Sequence, residues 1–214
     1  MLRRNNRTWL PRLLSGVFIA MAMAGAAGAA PLDNLVFEGW YGDPNDTNRA
    51  ALVVDFGGGN SYAFGLYFDG ALSGYELIHA VDEANTDFSF NATDYGALGW
   101  GIDAFHYTDP DTSILHEAAN DWSGTGNWLA SFSSDDGGQL WTELDVGASF
   151  HSVADESIYG WITAPPAEFD ENFNRISPPP DPPSAPAVPE PSTLLLLAAS
   201  LVGLAAVRTL RRRD

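Results

Sequence analysis

The sequence predicts an α+β domain, mostly antiparallel β with one amphipathic helix. An N-terminal signal helix and a C-terminal transmembrane helix are expected to flank it. Three observations lead there. Residues 50–68 read as two apolar runs around a glycine break, residues 73–84 read as a capped helix, and short aromatic runs with strand alternation recur as far as residue 163.

Met1 to Ala30 has the order of a secretory signal. Arg3, Arg4, Arg7 and Arg12 come first, Leu13 to Ala24 is apolar, and Ala27-Gly28-Ala29-Ala30 offers small-residue cleavage sites. Leu35-Val36-Phe37 and Trp40-Tyr41 suggest a first strand, and Asp43-Pro44-Asn45-Asp46 a turn. Ala50 to Phe56 is a continuous apolar, β-branched run. Gly57-Gly58-Gly59-Asn60 breaks it, and Tyr62, Phe64, Leu66 and Phe68 then alternate with smaller residues, which predicts a hairpin with an aromatic face. The triple glycine has neither the lysine of a phosphate loop nor GxGxxG spacing, so a turn explains it.

Ser73-Gly74-Tyr75-Glu76 is a capping box, in which the serine oxygen caps an early N–H and the glutamate reaches back. Leu77, Ile78, Val81 and Ala84 follow at helical spacing, predicting a helix over 74–84 with one apolar face. Further strands are expected at Leu98–Ala104, Asn127–Phe132, Gln139–Leu144 and Ile158–Thr163, with Asp135-Asp136-Gly137-Gly138 as a hairpin turn. From Ala164 the pattern is lost. Six prolines between Ser177 and Val188 predict a stiff, extended spacer.

The organisation expected is therefore a signal peptide at 1–30, an extracytoplasmic α+β domain at 31–176, a Pro-rich linker at 177–188 and a sorting tail at 189–213. Within the tail, 194–207 is an apolar run of 14 residues. As a helix it would span about 21 Å of a bilayer core roughly 30 Å thick, a short anchor. Arg208, Arg211, Arg212 and Arg213 follow it as a membrane stop, which keeps the C-terminus inside and the domain outside.

The combination of Val188-Pro189-Glu190-Pro191-Ser192, a short span and a basic end resembles the PEP-CTERM sorting signal of Gram-negative bacteria. The resemblance implies recognition by an exosortase, a membrane-embedded cysteine transpeptidase, with Pro189, Glu190 and Pro191 as the recognised residues. It further implies export, transient inner-membrane anchoring, and release to the cell surface or the extracellular space. Between these ends, Gly126-Asn127-Trp128, Trp141, Asp145-Val146-Gly147-Ala148 and Ser157-Ile158-Tyr159-Gly160-Trp161 are placed as in the transcobalamin-like C-terminal domain, a small β-grasp fold. Some members of that family contact a corrinoid. No residue here is diagnostic for one, so this resemblance implies a fold and no ligand.

Charge narrows the partners. Of ten basic residues, Arg49 and Arg175 alone lie between Pro31 and Val207, facing 27 of the 28 acids, and there is no lysine. A surface this acidic disfavours nucleic acid, whose phosphates need a basic face. The absence of cysteine excludes disulfides and cysteine nucleophiles, so a packed core must hold the domain.

Catalytic signatures are missing. His79, His106, His116 and His151 stand in neither HxH nor HExxH spacing, and there is no GxSxG elbow. Asp43/Asn45/Asp46, Asp109/Asp111 and Asp135/Asp136 offer the hard oxygens calcium takes, but none matches D-x-[DN]-x-[DN]-G, and aspartates in turns ordinarily just make the turn. Of the tryptophans, Trp122 and Trp128 sit among Gly, Ser and Asn and are the candidate ligand contacts. The expectation is a non-enzymatic binding or structural module without a cofactor, its ligand a polysaccharide or small molecule. A polysaccharide hydrolase and a calcium-stabilised structural module are the alternatives.

Overall fold

The computed structural model describes residues 31–121, 126–168, 170–171 and 175–186. The expected signal helix, the transmembrane run and its arginine stop lie outside them. No helix among the described residues is long and apolar enough to cross a membrane.

The strands are β1 (Phe37–Tyr41), β2 (Asn48–Asp55), β3 (Ser61–Phe68), β4 (Leu72–Ser73), β5 (Phe88–Asp94), β6 (Trp100–Thr108), β7 (Leu115–Ala119), β8 (Trp128–Ser134), β9 (Thr142–Glu143), β10 (Ser152–Val153) and β11 (Ile158–Ala164). The one α-helix described, α1, spans Gly74–Ala84. A six-stranded sheet runs β1-β3-β2-β11-β8-β9, a three-stranded one β5-β6-β7, and β4 pairs with β10.

The predicted hairpin is β2–β3, antiparallel from Asn48↔Phe68 to Asp55↔Ser61. Its turn uses Gly57, Gly58 and Gly59 at φ 80°, 64° and 85°. Side chains avoid that region, which is why three glycines stand together. Asp55 Oδ1 accepts the Gly57 N–H at 2.8 Å and fixes the start of the turn.

The helix carries the predicted box. Ser73 Oγ accepts the Glu76 N–H at 3.3 Å, and Glu76 Oε2 accepts the Ser73 N–H at 2.7 Å. Leu77, Ile78 and Val81 are fully buried against the inner face of the large sheet. Each contributes about 1.5–3 kcal/mol relative to an exposed position, which a helix of 11 residues needs because it is marginal alone.

Two features depart from the expected antiparallel plan. β1 joins β3 in parallel, and β11 joins β2 in parallel from Ile158↔Ala51 to Ile162↔Asp55, so the large sheet is mixed. Its central strands β2 and β11 therefore have neighbours on both sides and read as near-continuous apolar runs. The expected strand at 139–144 shortens to Thr142–Glu143.

The core lies between the inner face of the large sheet, α1 and the three-stranded sheet, where Phe64, Phe88, Phe105, Tyr107 and Tyr159 are enclosed. A second apolar cluster covers the outer face. Leu32 and Leu35 from the start of the domain, Ala51, Val53, Ala63 and Ile158 from the sheet, and Ala185 from the Pro-rich segment form it with Trp141. The end of the expected spacer thus lies on the sheet.

Candidate functional site

A cleft of about 680 Å³ opens between the inner face of the large sheet and the three-stranded sheet. Leu129, Ser131 and Trp161 form its floor, Trp100 and Ile102 of β6 one wall, and residues 143–148 the other, with Trp128, Ala167 and Arg175 at the rim. Its size and aromatic lining are those of a small-ligand pocket.

The sequence builds these walls locally. Strand alternation turns Leu129 and Ser131 of β8 and Trp161 of β11 to one side, and the pairing Trp161↔Ser131 sets them level. Asn120 ties the two sheets together. Its Nδ2 donates to the Ile102 carbonyl at 2.6 Å, and its Oδ1 accepts the Leu129 N–H at 2.7 Å. Trp100 stacks on Tyr75 of the helix, with ring centroids 5.0 Å apart and planes 13° apart, while Ser149 Oγ accepts its backbone N–H at 2.8 Å. The helix face that the capping box orients therefore also aims one cleft tryptophan.

Trp128 is half-buried at the rim, and its indole N–H donates to the Pro165 carbonyl at 2.6 Å. The Arg175 guanidinium carbon lies 5.9 Å from the Trp128 ring centroid, and Arg175 Nη1 is 2.7 Å from Glu143 Oε1. Arg175 and Glu143 thus hold each other across the rim and leave little free charge there. Asp145, exposed, is the acid that remains available on that wall.

One buried polar group lines the floor, and a second lies on the same strand in the core. The Trp161 indole nitrogen and the Tyr159 hydroxyl are enclosed without a hydrogen bond of acceptable geometry. Burial pushes the Tyr159 hydroxyl strongly upward, and the nearby Ser131 and Trp161 side chains offset only part of that. A phenol in this setting stays protonated.

Of the two tryptophans singled out from sequence, Trp128 lines the cleft and Trp122 lies outside the described residues, as do Pro189, Glu190, Pro191, Arg208, Arg211, Arg212 and Arg213. Trp100, Trp161, Glu143 and Arg175 were not among the chosen contacts. The signal for Arg175 was available, since it is one of two cations in an acidic domain and such a group seeks a carboxylate or a ring.

The histidines are dispersed. His79 faces Glu83 at 3.5 Å on the polar side of α1, His116 Nε2 lies 3.0 Å from the Tyr62 hydroxyl, and His151 stacks on Tyr159 at 4.7 Å. The acidic turns use their carboxylates on themselves. Asp43 Oδ1 accepts the Asn45 N–H, Asp109 Oδ1 that of Asp111, and Asp136 Oδ1 those of Gln139 and Leu140. These bonds hold Asp43 and Asp136 below the ordinary carboxyl range, and Asp109 is held there first by the Thr112 hydroxyl and then by the Asp111 N–H. No group of three or more His, Asp or Glu stands close enough to hold a metal among the described residues.

No curated protein and no solved structure matches the chain, and the transcobalamin-like likeness finds no support there. The tail does have a match. A PEP-CTERM protein-sorting motif spans residues 187–213, and that motif marks an exported protein sorted by an exosortase-type enzyme.

Proposed function

We propose that the domain is a non-catalytic binding module, anchored briefly in the inner membrane by its tail and then displayed at the cell surface or in the extracellular matrix. Its ligand is a saccharide unit of an extracellular polysaccharide, taken by the cleft. The observation that carries this reading is the convergence of Trp100, Trp128 and Trp161 on one cleft of about 680 Å³ whose rim charges are largely neutralised by the Glu143–Arg175 pair. Flat apolar rings beside a few hydrogen-bonding groups suit a sugar, which is apolar on its faces and polar at its edges. A hairpin, a helix on one face and a last strand returning in parallel beside the hairpin support the β-grasp-like reading of the scaffold.

Glu143 and Asp145 favour a second reading, a hydrolase of such polymers. They stand two residues apart on the same wall, whereas glycosidic cleavage needs acids flanking the bond from two sides. The binding reading therefore comes first, and it invokes no metal or other cofactor.

The test is a titration of the purified protein with a panel of soluble oligosaccharides, followed by tryptophan fluorescence and calorimetry. At least one saccharide should bind, and Trp128→Ala should weaken it at least about tenfold, or 1.4 kcal/mol. Release of shorter products from any polymer would favour the hydrolase. Absence of binding by folded protein across the panel would remove the saccharide reading.

A further inference from the structure

We propose that the outer face of the large sheet is a groove for an extended, proline-containing peptide, and that its resident is residues 183–186 of the same chain. That seat fixes where the sorting tail leaves the domain.

The segment is held through its backbone and its small apolar side chains. Asp55, 5% exposed, splits its carboxylate: Oδ1 takes the Gly57 N–H and Oδ2 takes the Ser184 N–H, each at 2.8 Å. The Ser61 hydroxyl donates to the Ser184 carbonyl, and the Val36 N–H donates to the Pro186 carbonyl at 2.6 Å. Three consecutive strands of the sheet region, around 36, 55 and 61, thereby read one short peptide.

Between these bonds Pro183 is buried and Ala185 joins the outer apolar cluster with Leu32, Leu35, Ile158 and Trp141. The groove exists because Gly160 has no side chain. A Cβ there would lie 2.5 Å from the Trp141 ring and 2.7 Å from Pro183 Cγ. A proline beside a tryptophan ring, in a segment already extended by its own composition, is in keeping with how proline-rich peptides are recognised at low entropic cost. The buried aspartate that starts the glycine turn thus also holds the peptide N–H of the expected spacer.

The consequence concerns sorting. The motif begins at residue 187, the residue after the last seated proline. From Ala187 to the apolar run at Leu194 the chain can reach at most about 25 Å. The sorting enzyme therefore meets its motif close against the folded domain, and a product cut within the motif keeps residues 183–186 seated.

The chain has no cysteine, so single thiols report cleanly. Ala185→Cys and, as an exposed control, Pro179→Cys are made in the full chain, purified in detergent and labelled with a maleimide. The thiol at 185, partly buried against the outer cluster, should react at least about threefold more slowly than the exposed thiol at 179. Adding Gly160→Val, or Pro183→Asp where the sheet itself is left untouched, should bring the rate at 185 up to that at 179. Unfolding curves identify any variant that has lost its fold. Equal rates in the parent, or protection that survives Pro183→Asp in folded protein, overturn the proposal.

Discussion

At Tyr159 the ring is fully enclosed, stacked on His151 and edge-on to Trp161, while its hydroxyl, near the Ser131 and Trp161 side chains, makes no hydrogen bond of acceptable geometry among the described residues. A buried donor left unmade costs about 1–3 kcal/mol, against roughly 1 kcal/mol for a bond that is made. Tyr159→Phe keeps the ring contacts and removes the orphan group. It should leave the urea midpoint unchanged or raise stability by about 1 kcal/mol; a loss larger than that would show that the hydroxyl is satisfied. His151 belongs to the same stack, and burial lowers its pKa. Ring packing here thus favours the neutral imidazole.

The helix is the element whose sequence and structure agree most closely. Ser73→Ala removes both bonds of the hydroxyl, to the Glu76 N–H and to the Glu76 carboxylate, and should cost about 1 kcal/mol in denaturant unfolding. The Glu76 carboxyl is held below its ordinary range, first by the Ser73 N–H and then by its hydroxyl. A depressed folded pKa stabilises fully above the unfolded value, about 4.3, and loses that contribution as pH falls through the folded value. Glu76→Gln should therefore be less stable than the parent at pH 7, and the gap should close below about pH 4. Unfolding measured at pH 7, 4 and 3 checks it.

Elements with local chemistry were legible: the capping box placed α1, the triple glycine placed the β2–β3 hairpin, and the apolar run at 158 placed β11. What was not legible depends on partners far along the chain. β5 and β7 lacked a strong strand pattern: in β5 the Phe88-Ser-Phe90 alternation is short, and β7, Leu-His-Glu-Ala-Ala, has no β-branched or aromatic run. The parallel pairing of β11 with β2 joins residues more than 100 apart, and no local pattern encodes it. The cleft shares that limit. Trp128 stood out by its polar neighbours, but Trp100 and Trp161 sit in strand-like runs where core packing is the ordinary expectation. Only the docking of two sheets gathers them.

For the whole molecule, charge is the dominant long-range term. Between Pro31 and Val207 two arginines face 27 acids, and each arginine is already paired: Arg49 with Glu156 at 2.6 Å and Asp33 at 3.0 Å, Arg175 with Glu143 at 2.7 Å. Salt weakens these few half-exposed pairs, worth at most about 1 kcal/mol each. It also screens repulsion among many more like charges. The second effect should win, so that moving from 20 mM to 500 mM sodium chloride raises Tm by roughly 3 °C. A scan in which Tm falls would mean that the pairs dominate.

The bond from Val36 to Pro186 works as a clasp, closing the run of chain between them into something near a ring. A covalent bridge between its two ends would have little distance to span. The opening could then be moved to the glycine turn at 57–59, where no strand pairing would be cut. In topological terms the order of the strands around the ring, more than the place where the chain starts, defines this domain.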